Sequence, residues 1–359
     1  MTLQRLGWNE RLTRQFEALA VEGAEPARVV REDRERYRID TGSEHAAEIA
    51  GRFRHTAHTR MDYPAVGDWV AVRAPGGDGP WTILALVPRS SVFVHQAAGD
   101  TTEPQVVAAN IDTVFVVAGL DADFNVRRLE RYVTAAWESG AHPVLVLNKA
   151  DLAADPGAAI EAASDVAPGV PVLALSATER QGLDALEPWL APHRTVALLG
   201  SSGAGKSTLV NALLGREAQT TQDVRASDSR GRHTTTHREL IVLPGGAILI
   251  DTPGMRALQL WTAEPALDGT FPEIAALAAH CHFADCAHVN EPGCAVLAAE
   301  AAGELPEDRL ASWRKLQREL RHLAVKQDDV LRRQEQSRVR AAHKALRAHP
   351  KYRDRRDGS

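Results

Sequence analysis

Residues 200–208 read Gly200-Ser201-Ser202-Gly203-Ala204-Gly205-Lys206-Ser207-Thr208, which fits the pattern G-x-x-x-x-G-K-[ST]. The apolar run 195–199 before it predicts a strand, and residues 208–214 after it predict a helix. Glycines let a backbone approach a polyphosphate closely, and successive N–H groups at a helix N-terminus bind negative charge. In this pattern the Lys206 ammonium reaches the β- and γ-phosphates, and the Ser207 hydroxyl is a ligand of Mg²⁺. The stretch therefore predicts a phosphate-binding loop in an α/β domain.

The composition excludes several classes of protein. The chain has 359 residues, 44% of them hydrophobic and 25% charged, so it is long enough for two or three globular domains. Because no run of eighteen apolar residues occurs and the segment after Met1 is polar, we expect neither a transmembrane helix nor a secretory signal. All three cysteines lie between residues 281 and 294, an arrangement that favours a reduced cytoplasmic protein over a disulfide framework.

The net charge of −5 is unevenly distributed. Residues 309–359 contain 16 Lys and Arg and 6 Asp and Glu, a net charge of +10, so the other 308 residues carry −15. A basic end on an acidic body is typical of an arm that binds a polyanion. On charge alone, a solvated helix with a frayed tail explains this end of the chain as well. We expect residues 346–359 to form a disordered basic tail.

The apolar spacing of residues 1–20 predicts one amphipathic helix, to which the sequence assigns no role. Short strands and turns dominate residues 26–100. Candidate strands lie at 27–30, 36–39, 46–49, 68–72 and 81–86, and five short strands suit a closed OB-fold barrel. The connection after the third strand carries basic and aromatic residues: Arg52, Phe53, Arg54, His55, His58, Arg60 and Tyr63. Such a cluster fits a surface that binds RNA backbone and bases, or a polar loop over a structural barrel.

Three apolar strands precede the phosphate loop, at 111–118, 143–147 and 170–175. The first is followed by a helix with one apolar face, formed by Leu129, Tyr132, Val133, Ala136 and Trp137. This β-α-β-α-β alternation predicts a parallel sheet with helices on both faces. Ligands of such sheets bind at the carboxyl ends of the strands.

The segment Asn148-Lys149-Ala150-Asp151 follows the second of these strands. A carboxylate there can accept two hydrogen bonds from guanine N1–H and N2–H₂, a pair of donors that adenine lacks. Ser176 and Ala177, at the end of the next strand, are expected to support the base through their backbone N–H groups. We therefore predict that GTP binds to Asn148, Lys149, Asp151, Ser176, Ala177 and the phosphate loop.

A polar stretch without periodicity, residues 220–237, indicates a mobile switch and contains Gly231-Arg232-His233-Thr234-Thr235-Thr236. We take Thr235 as the threonine that closes onto Mg²⁺ and the γ-phosphate, with its two neighbouring threonines as open alternatives. A predicted hairpin of strands 239–243 and 247–250 then leads into Asp251-Thr252-Pro253-Gly254. We expect Asp251 to hold Mg²⁺ through water and the Gly254 N–H to sense the γ-phosphate.

The order of these guanine-nucleotide motifs is unusual. In Ras-like proteins the phosphate loop comes first and the guanine-reading motif late. Here the segment 148–151 precedes the loop and the segment 251–254 comes last. The sequence therefore predicts a circularly permuted P-loop GTPase domain over residues 101–262. Because its last switch continues into the C-terminal domain, loss of the γ-phosphate can move that whole domain.

The spacing Cys281-x₄-Cys286-x-His288-x₅-Cys294 predicts a metal site in a helical domain over residues 263–345. Three thiolates and one imidazole make a closed tetrahedral site for one structural Zn²⁺. His282 directly follows a ligand and can hardly reach the same metal, so we leave it out. The alternative is three buried apolar cysteines. The helix predicted over residues 308–348 carries an apolar stripe that we assign to core packing: Leu310, Trp313, Leu316, Leu320 and Leu323.

With these residues identified, nearly the whole chain resembles the RsgA (YjeQ) family, the circularly permuted GTPases of small ribosomal subunit biogenesis. The resemblance is carried by Gly67-Asp68-Trp69-Val70, the permuted motifs, residues 231–236 and the Cys/His spacing. It implies an N-terminal OB-fold, a central permuted GTPase and a C-terminal zinc domain. It also implies contact with 16S rRNA, late maturation of the 30S subunit and GTP hydrolysis stimulated by that subunit. We expect a cytoplasmic monomer without membrane contact. The family pattern assigns no role to the helical extension over residues 1–25 or to the basic tail.

The hydrolytic mechanism is less well defined by the sequence. Lys206 and Gly254 are expected to contribute to catalysis through the phosphates, but Met255 stands where Ras-like enzymes carry a water-orienting glutamine. We hypothesise that His233 takes this role once the ribosome orders the switch; a plain switch residue or an RNA contact is the alternative. The main alternative function is a nucleotide-gated RNA-binding checkpoint in which hydrolysis is secondary. A metabolic P-loop kinase is disfavoured by the guanine-reading segment.

Overall fold

The computed structural model describes residues 3–33, 36–95, 104–215, 238–251 and 264–321. Within these ranges no helix combines the length and the hydropathy that a membrane crossing requires.

Residues 3–20 contain two short helical segments, so the prediction of one amphipathic helix is wrong. A 3₁₀ turn at Gln4–Leu6 ends at Gly7, whose φ of +93° is left-handed, and helix α1 follows at Glu10–Ala18. The side chain of Asn9 caps α1 by accepting a hydrogen bond from the Leu12 N–H. Leu6 and Leu12 are buried in a core that also contains Trp69, so this segment packs against the following domain.

A five-stranded barrel follows, as predicted. Its strands are β1 (Glu25–Asp33), β2 (Arg36–Asp40), β3 (Glu44–Ile49), β4 (Trp69–Arg73) and β5 (Trp81–Leu86), and helix α2 (Gly51–Thr56) lies between β3 and β4. The hydrogen-bonded order is β1-β2-β3-β5-β4, and β4 pairs again with β1. Closure removes the open edges that exposed strands present, which is the OB-fold solution. The interior is filled by alternate residues of the strands, including Val29, Ile39, Ile49, Val70 and Ile83.

The central sheet has parallel strands with helices on both faces, which confirms the predicted α/β domain. After an unpredicted two-stranded sheet of β6 (Val92–His95) and β7 (Gln105–Ala109), its elements are β8 (Thr113–Gly119), α3 (Val126–Glu138), β9 (His142–Asn148), α4 (Pro156–Val166), β10 (Val172–Ala174), β11 (Thr195–Leu199), α5 (Lys206–Leu214), β12 (Arg238–Val242) and β13 (Ile248–Asp251). The strand order is β10-β9-β8-β11-β13-β12, in which only β12 is antiparallel.

Both faces of the central sheet are covered, because alternate residues of each strand point to opposite sides. Val114 and Val116 of β8 pack in the core that includes α3 and α4. Phe115 and Val117 pack in the core that includes α5. The first of these cores continues to Trp69 at the base of the barrel, so the two domains share buried apolar surface.

The barrel and the central sheet are also joined by strand pairing. Arg31 and Glu32 of β1 pair with Glu239 and Arg238 of β12, and Glu32 and Arg238 form an ion pair at 3.2 Å. The result is one continuous eleven-stranded sheet.

The C-terminal unit is helical and has its own core. Helices α6 (Glu264–Thr270), α7 (Pro272–Ala278) and α8 (Ala295–Ala301) precede a helix over residues 307–321, here α9. Four residues of the predicted stripe, Leu310, Trp313, Leu316 and Leu320, are buried in this core, which confirms the packing assignment. The fifth, Leu323, lies outside the described residues, together with the remainder of the predicted helix and the tail.

A buried ion pair connects the C-terminal unit to α3. Glu130 is fully buried, and its Oε1 accepts a hydrogen bond from Arg309 Nη1 at 2.8 Å. The same guanidinium lies over the Phe271 ring, with Cζ 4.1 Å from the centroid. Arg309 also donates to Glu273 and to the Thr270 carbonyl, each at 2.6 Å. Satisfying this many donors in a buried position fixes how the unit sits on α3.

Candidate nucleotide-binding site and metal cluster

The phosphate loop lies between β11 and α5, where it packs closely against two neighbouring strands. Gly200 has φ +154°, and a Cβ there would lie 2.1 Å from the Val117 carbonyl oxygen. Gly205 has φ +87°, and a Cβ there would lie 2.2 Å from Asn148 Nδ2. Both positions therefore require glycine, for backbone conformation as well as for space.

Lys206 is the first residue of α5 and folds back over its own loop. Its Nζ donates hydrogen bonds to the Gly200 carbonyl at 2.7 Å and to the Ser201 carbonyl at 2.5 Å. Ser207 and Thr208 follow in the first turn of α5, where backbone N–H groups have no partner within the helix. The ammonium and the helix N-terminus make this end of the loop electropositive.

Asn148 holds the phosphate loop and the predicted base-reading segments together. This residue ends β9 and is only 2% exposed. Its Nδ2 donates to the Ala204 carbonyl at 3.0 Å, and its Oδ1 accepts from the Ala177 N–H at 3.0 Å. Three segments that are distant in sequence thus meet at one amide side chain.

Lys149 and Asp151 lie at the same edge of the sheet but have different surroundings. Lys149 adopts the left-handed conformation, with φ +64°, and its Nζ donates to Asp121 Oδ2 at 2.6 Å. Asp151 lies in a short 3₁₀ turn, Ala150–Leu152, and is exposed to solvent. Its carboxylate is therefore accessible to a ligand.

The backbone N–H groups of Ser176 and Ala177 both donate hydrogen bonds to acceptors within the protein. The Ser176 N–H donates to the Gln181 carbonyl and the Ala177 N–H to Asn148 Oδ1, each at 3.0 Å. Both residues are almost fully buried. These bonds hold the loop against Asn148 but give no support to a contact between these N–H groups and the base, which stays a prediction.

Asp251 is the last residue of β13, beside the strand that leads into the phosphate loop. Ala197 of β11 pairs with Ile250, so Asp251 and Gly200 leave the sheet at the same edge. Oxygen donors from Asp251 and Ser207 at this edge suit the hard cation Mg²⁺. Thr235, His233 and Gly254 lie outside the described residues, and so do Thr234 and Thr236.

Two acidic residues that the sequence analysis missed lie beside the site. Asp121 contacts Lys149, and Asp123 Oδ2 accepts a hydrogen bond from Ser201 Oγ at 3.3 Å. Hydrogen bonds from Arg128 lower the pKa of the Asp123 carboxyl. The signal was available: the segment 119–125 follows the carboxyl end of β8, where ligand-binding residues of parallel sheets occur.

The predicted metal ligands form one compact cluster. The ligand atoms of Cys281, Cys286, His288 and Cys294 all lie within 4.8 Å of one another. Cys281 Sγ lies 3.8 Å from Cys294 Sγ and 3.6 Å from His288 Nδ1, and that nitrogen lies 3.4 Å from Cys294 Sγ. Tetrahedral zinc with bonds of about 2.3 Å to sulfur and about 2.0 Å to nitrogen separates such atoms by about 3.8 and 3.5 Å. Cys281, His288 and Cys294 therefore have the separations of zinc ligands, and Cys286 lies close enough to complete the set.

The loop that carries these ligands is held by a carboxylate. Glu291 accepts hydrogen bonds from the N–H groups of Ala287, Val289 and Asn290. Bonds from these N–H groups, that of Val289 foremost, lower the pKa of Glu291 to about 2. His288 has φ +55°, and its carbonyl accepts a hydrogen bond from Arg314 Nη2 at 2.7 Å. His282 is not part of the cluster, in agreement with the sequence-based prediction, which left it out of the ligand set.

Comparisons with known proteins agree with this architecture. A family model described as RsgA GTPase matches residues 86–261. The small ribosomal subunit biogenesis GTPase RsgA of Opitutus terrae is 49% identical over 97% of this chain and 98% of its own length. The protein with the same name from Streptomyces coelicolor is 46% identical over 91% of this chain and 88% of its own length.

Two solved structures have a similar fold. YjeQ from Thermotoga maritima has a TM-score of 0.62 and 25% identity, over 83% of this chain and 98% of its own length. YloQ, described as a circularly permuted GTPase, has a TM-score of 0.61 at 22% identity, over 84% of this chain and 96% of its own length, and thus has the same fold. The chain belongs to the RsgA GTPase family.

Proposed function

We propose that this chain hydrolyses GTP to GDP and phosphate during late maturation of the small ribosomal subunit, with turnover stimulated by that subunit. The single observation that carries the nucleotide site is the hydrogen bond from Asn148 Nδ2 to the Ala204 carbonyl. It joins the end of β9, which carries the base-reading segment, to the loop that fits phosphates. The names of the RsgA relatives, which are small ribosomal subunit biogenesis GTPases, support the process.

The phosphate loop binds the triphosphate in this proposal. Residues 200–208 surround the β-phosphate with N–H groups, and Lys206 leaves its loop carbonyls to contact the β- and γ-phosphates. Ser207 and Asp251 hold Mg²⁺, with Thr235 as the third protein residue. Bound magnesium neutralises charge on the phosphate oxygens.

Asp151 selects guanine. Its exposed carboxylate accepts hydrogen bonds from guanine N1–H and N2–H₂, while Asn148 and Lys149 fix the segment that carries it. ATP is excluded because adenine offers no such pair of donors and leaves the carboxylate unpaired.

Hydrolysis requires a group that orients the attacking water. Met255 cannot do so by hydrogen bonding, so basal hydrolysis is slow, and His233 takes this role on the ribosome while the Gly254 N–H binds the γ-phosphate. We expect His233→Ala to bind GTP normally but to lose turnover stimulated by 30S subunits. Unchanged stimulated turnover in this variant would remove the assignment.

Zinc has a structural role in the C-terminal unit. Cys281, Cys286, His288 and Cys294 supply all four bonds of a tetrahedral ion, which leaves no position open for water. The separations among Cys281, His288 and Cys294 match tetrahedral edges, and Cys286 lies within 4.8 Å of them, which supports one Zn²⁺ per chain. The ion then stabilises the loop over residues 281–294, which contains no regular helix or strand.

The barrel contacts 16S rRNA in the assembled particle. Its basic residues Arg52, Arg54, His55, His58 and Arg60 are all exposed on and after α2, and Phe53 lies half-buried among them. Exposed cations beside an aromatic ring suit an RNA backbone and its unpaired bases. We place the protein in the cytoplasm, because the particle on which it acts in this proposal is cytoplasmic, and we expect it to be a monomer.

The domain limits 1–25, 26–100, 101–262, 263–345 and 346–359 remain part of the proposal. Three apolar clusters that lie wholly or almost wholly in the barrel, the central sheet and the C-terminal unit support the division, and a fourth cluster joins the barrel to the central sheet. The pairing of β6 with β7 spans the limit at residue 100, which makes this limit the least sharp.

Turnover with and without 30S subunits tests the proposal. We expect 30S subunits to accelerate GTP hydrolysis strongly and co-sedimentation to depend on whether a GTP analogue or GDP is bound. Nucleotide-dependent co-sedimentation without acceleration would instead support the checkpoint function. Equal affinity for guanosine and adenosine nucleotides would contradict the guanine site itself.

A further inference from the structure

A carboxylate outside the predicted motifs contacts the base-reading segment. Asp121 Oδ2 lies 2.6 Å from Lys149 Nζ, and the two side chains are 31% and 24% exposed. The residues are 28 positions apart in the sequence. They meet because β8 and β9 are adjacent parallel strands, whose carboxyl ends lie at the same edge of the sheet.

The Asp121 carboxylate is held in place by its own loop. Its Oδ1 accepts a hydrogen bond from the Asp123 N–H at 3.0 Å, and the Leu120 N–H donates to the Asn148 carbonyl at 2.8 Å. A Cβ built on Gly119 would lie 3.2 Å from Asp121 Oδ2, so the carboxylate lies over this glycine. Burial opposes ionisation, but the bonds from Lys149 and the Asp123 N–H outweigh it, and the pKa of Asp121 is lowered. Asp121 is therefore a fixed negative charge at neutral pH.

Lys149 lies between this charge and the phosphate loop. Its left-handed backbone turns away from β9, and its Cε lies 3.9 Å from the Cβ position of Gly205. The last methylene of the stem thus lies beside the loop, while the ammonium is held by Asp121. A free lysine side chain samples many rotamers, and ordering it upon ligand binding opposes that binding.

We propose that Asp121 is a positioning residue for guanine-nucleotide binding. By holding the Lys149 ammonium, it orders the lysine stem in advance as one wall of the base pocket. This inference rests on the proposed function, in which Lys149 belongs to the base-reading segment. Preordering strengthens nucleotide binding because less freedom is lost when the base enters.

A double-mutant cycle on the full chain tests the proposal, with the Kd of GDP measured by isothermal titration. We expect Asp121→Asn to weaken GDP binding by about threefold to tenfold, since the neutral amide oxygen holds the Lys149 ammonium less strongly than a carboxylate does. Asp121→Glu, which keeps the charge, should recover part of the loss. Lys149→Met keeps the stem but removes the ammonium, so Asp121→Asn should have almost no further effect in that variant.

Asp112→Asn is the matched control. Asp112 directly precedes the first residue of β8, at the end of the strand opposite to the site, and its carboxylate lies 3.5 Å from Arg194. Asp112→Asn therefore removes one negative charge, as Asp121→Asn does, but at a position away from the site. Additive losses in the cycle, or unchanged or tighter GDP binding by Asp121→Asn, would overturn the proposal. Wild-type GDP affinity in Lys149→Met would instead contradict the proposed base pocket. Weaker binding by Lys149→Met with an inert Asp121→Asn would remove only the role of Asp121.

Discussion

The nucleotide-binding edge and the Cys/His cluster are built in opposite ways. The cluster takes its four ligands from fourteen consecutive residues, 281–294, and its loop is braced locally by Glu291. The nucleotide-binding edge combines the ends of β8, β9 and β10 with the phosphate loop, and Asn148 bonds to residues 29 and 56 positions away. A local site depends on its own ligands, whereas an assembled site depends on the whole sheet.

Loss of the proposed zinc ion gives the largest effect that this comparison predicts. We expect Cys294→Ala, or chelation of the metal, to unfold the C-terminal unit, because structural zinc contributes on the order of 10 kcal/mol to folding. GDP affinity should change little, since the nucleotide-binding edge has its own core. Limited proteolysis, zinc analysis and GDP titration on the same samples measure both responses. His282→Ala, next to a ligand but outside the cluster, is the control that should retain zinc, and joint loss of zinc and nucleotide binding would contradict independent sites.

The second effect concerns the junction between the two regions. Arg309→Met leaves the buried Glu130 with Arg127 and Ser312 as its remaining partners, and we expect a loss of about 3 kcal/mol in unfolding free energy. Chemical denaturation measures this loss. Arg131→Met, which breaks the more exposed Arg131–Glu319 pair across the same interface, should cost less than about 1 kcal/mol. Equal losses of unfolding free energy in the two variants would mean that burial does not make the Arg309–Glu130 pair more important for stability than the exposed pair.

The third effect tests how closely the assembled site is packed. In Gly205→Ala the new Cβ collides with the Asn148 amide, so we expect nucleotide affinity to fall by roughly a hundredfold, about 2.7 kcal/mol. Gly215→Ala, at the other end of α5, also has a positive φ but meets no atom within 4 Å. It should lower stability by about 1 kcal/mol and leave affinity unchanged. Similar affinities of the two variants would argue against the close approach.

The fourth effect changes the nucleotide selectivity of the site without changing how its segments pack together. Asp151→Asn should weaken GTP binding by tenfold to a hundredfold, on the order of 1.4–2.7 kcal/mol, and favour XTP, because the acceptor for guanine N1–H and N2–H₂ is lost. Competition titrations with GTP and XTP measure the exchange. Asp155→Asn is the control: Asp155 caps α4 by accepting from the Ala158 N–H, and asparagine caps equally well. Unaltered GTP affinity in Asp151→Asn would show that this carboxylate does not read the base.

Sequence reasoning succeeded where the chemistry depends on spacing along the chain. The barrel strands, the parallel sheet, the position of residues 200–205 between β11 and α5 and the clustering of the three cysteines with His288 all agree with it. It failed for residues 1–20, because the period of the leucines could not reveal the break at Gly7. It also missed β6 and β7, whose paired residues lie between 10 positions apart (His95 and Gln105) and 17 positions apart (Val92 and Ala109).

The sequence by itself determined where the phosphate-loop pattern, the segment 148–151 and the four spaced Cys and His residues lie, because each is defined by local spacing. Only the tertiary structure decided which distant charges meet. Asp121 reaches Lys149 through the order of strands in the sheet, and Arg309 reaches Glu130, 179 positions away, through the docking of helices. Such contacts have no periodicity along the chain, because they arise from the packing of whole elements, which residue spacing does not encode.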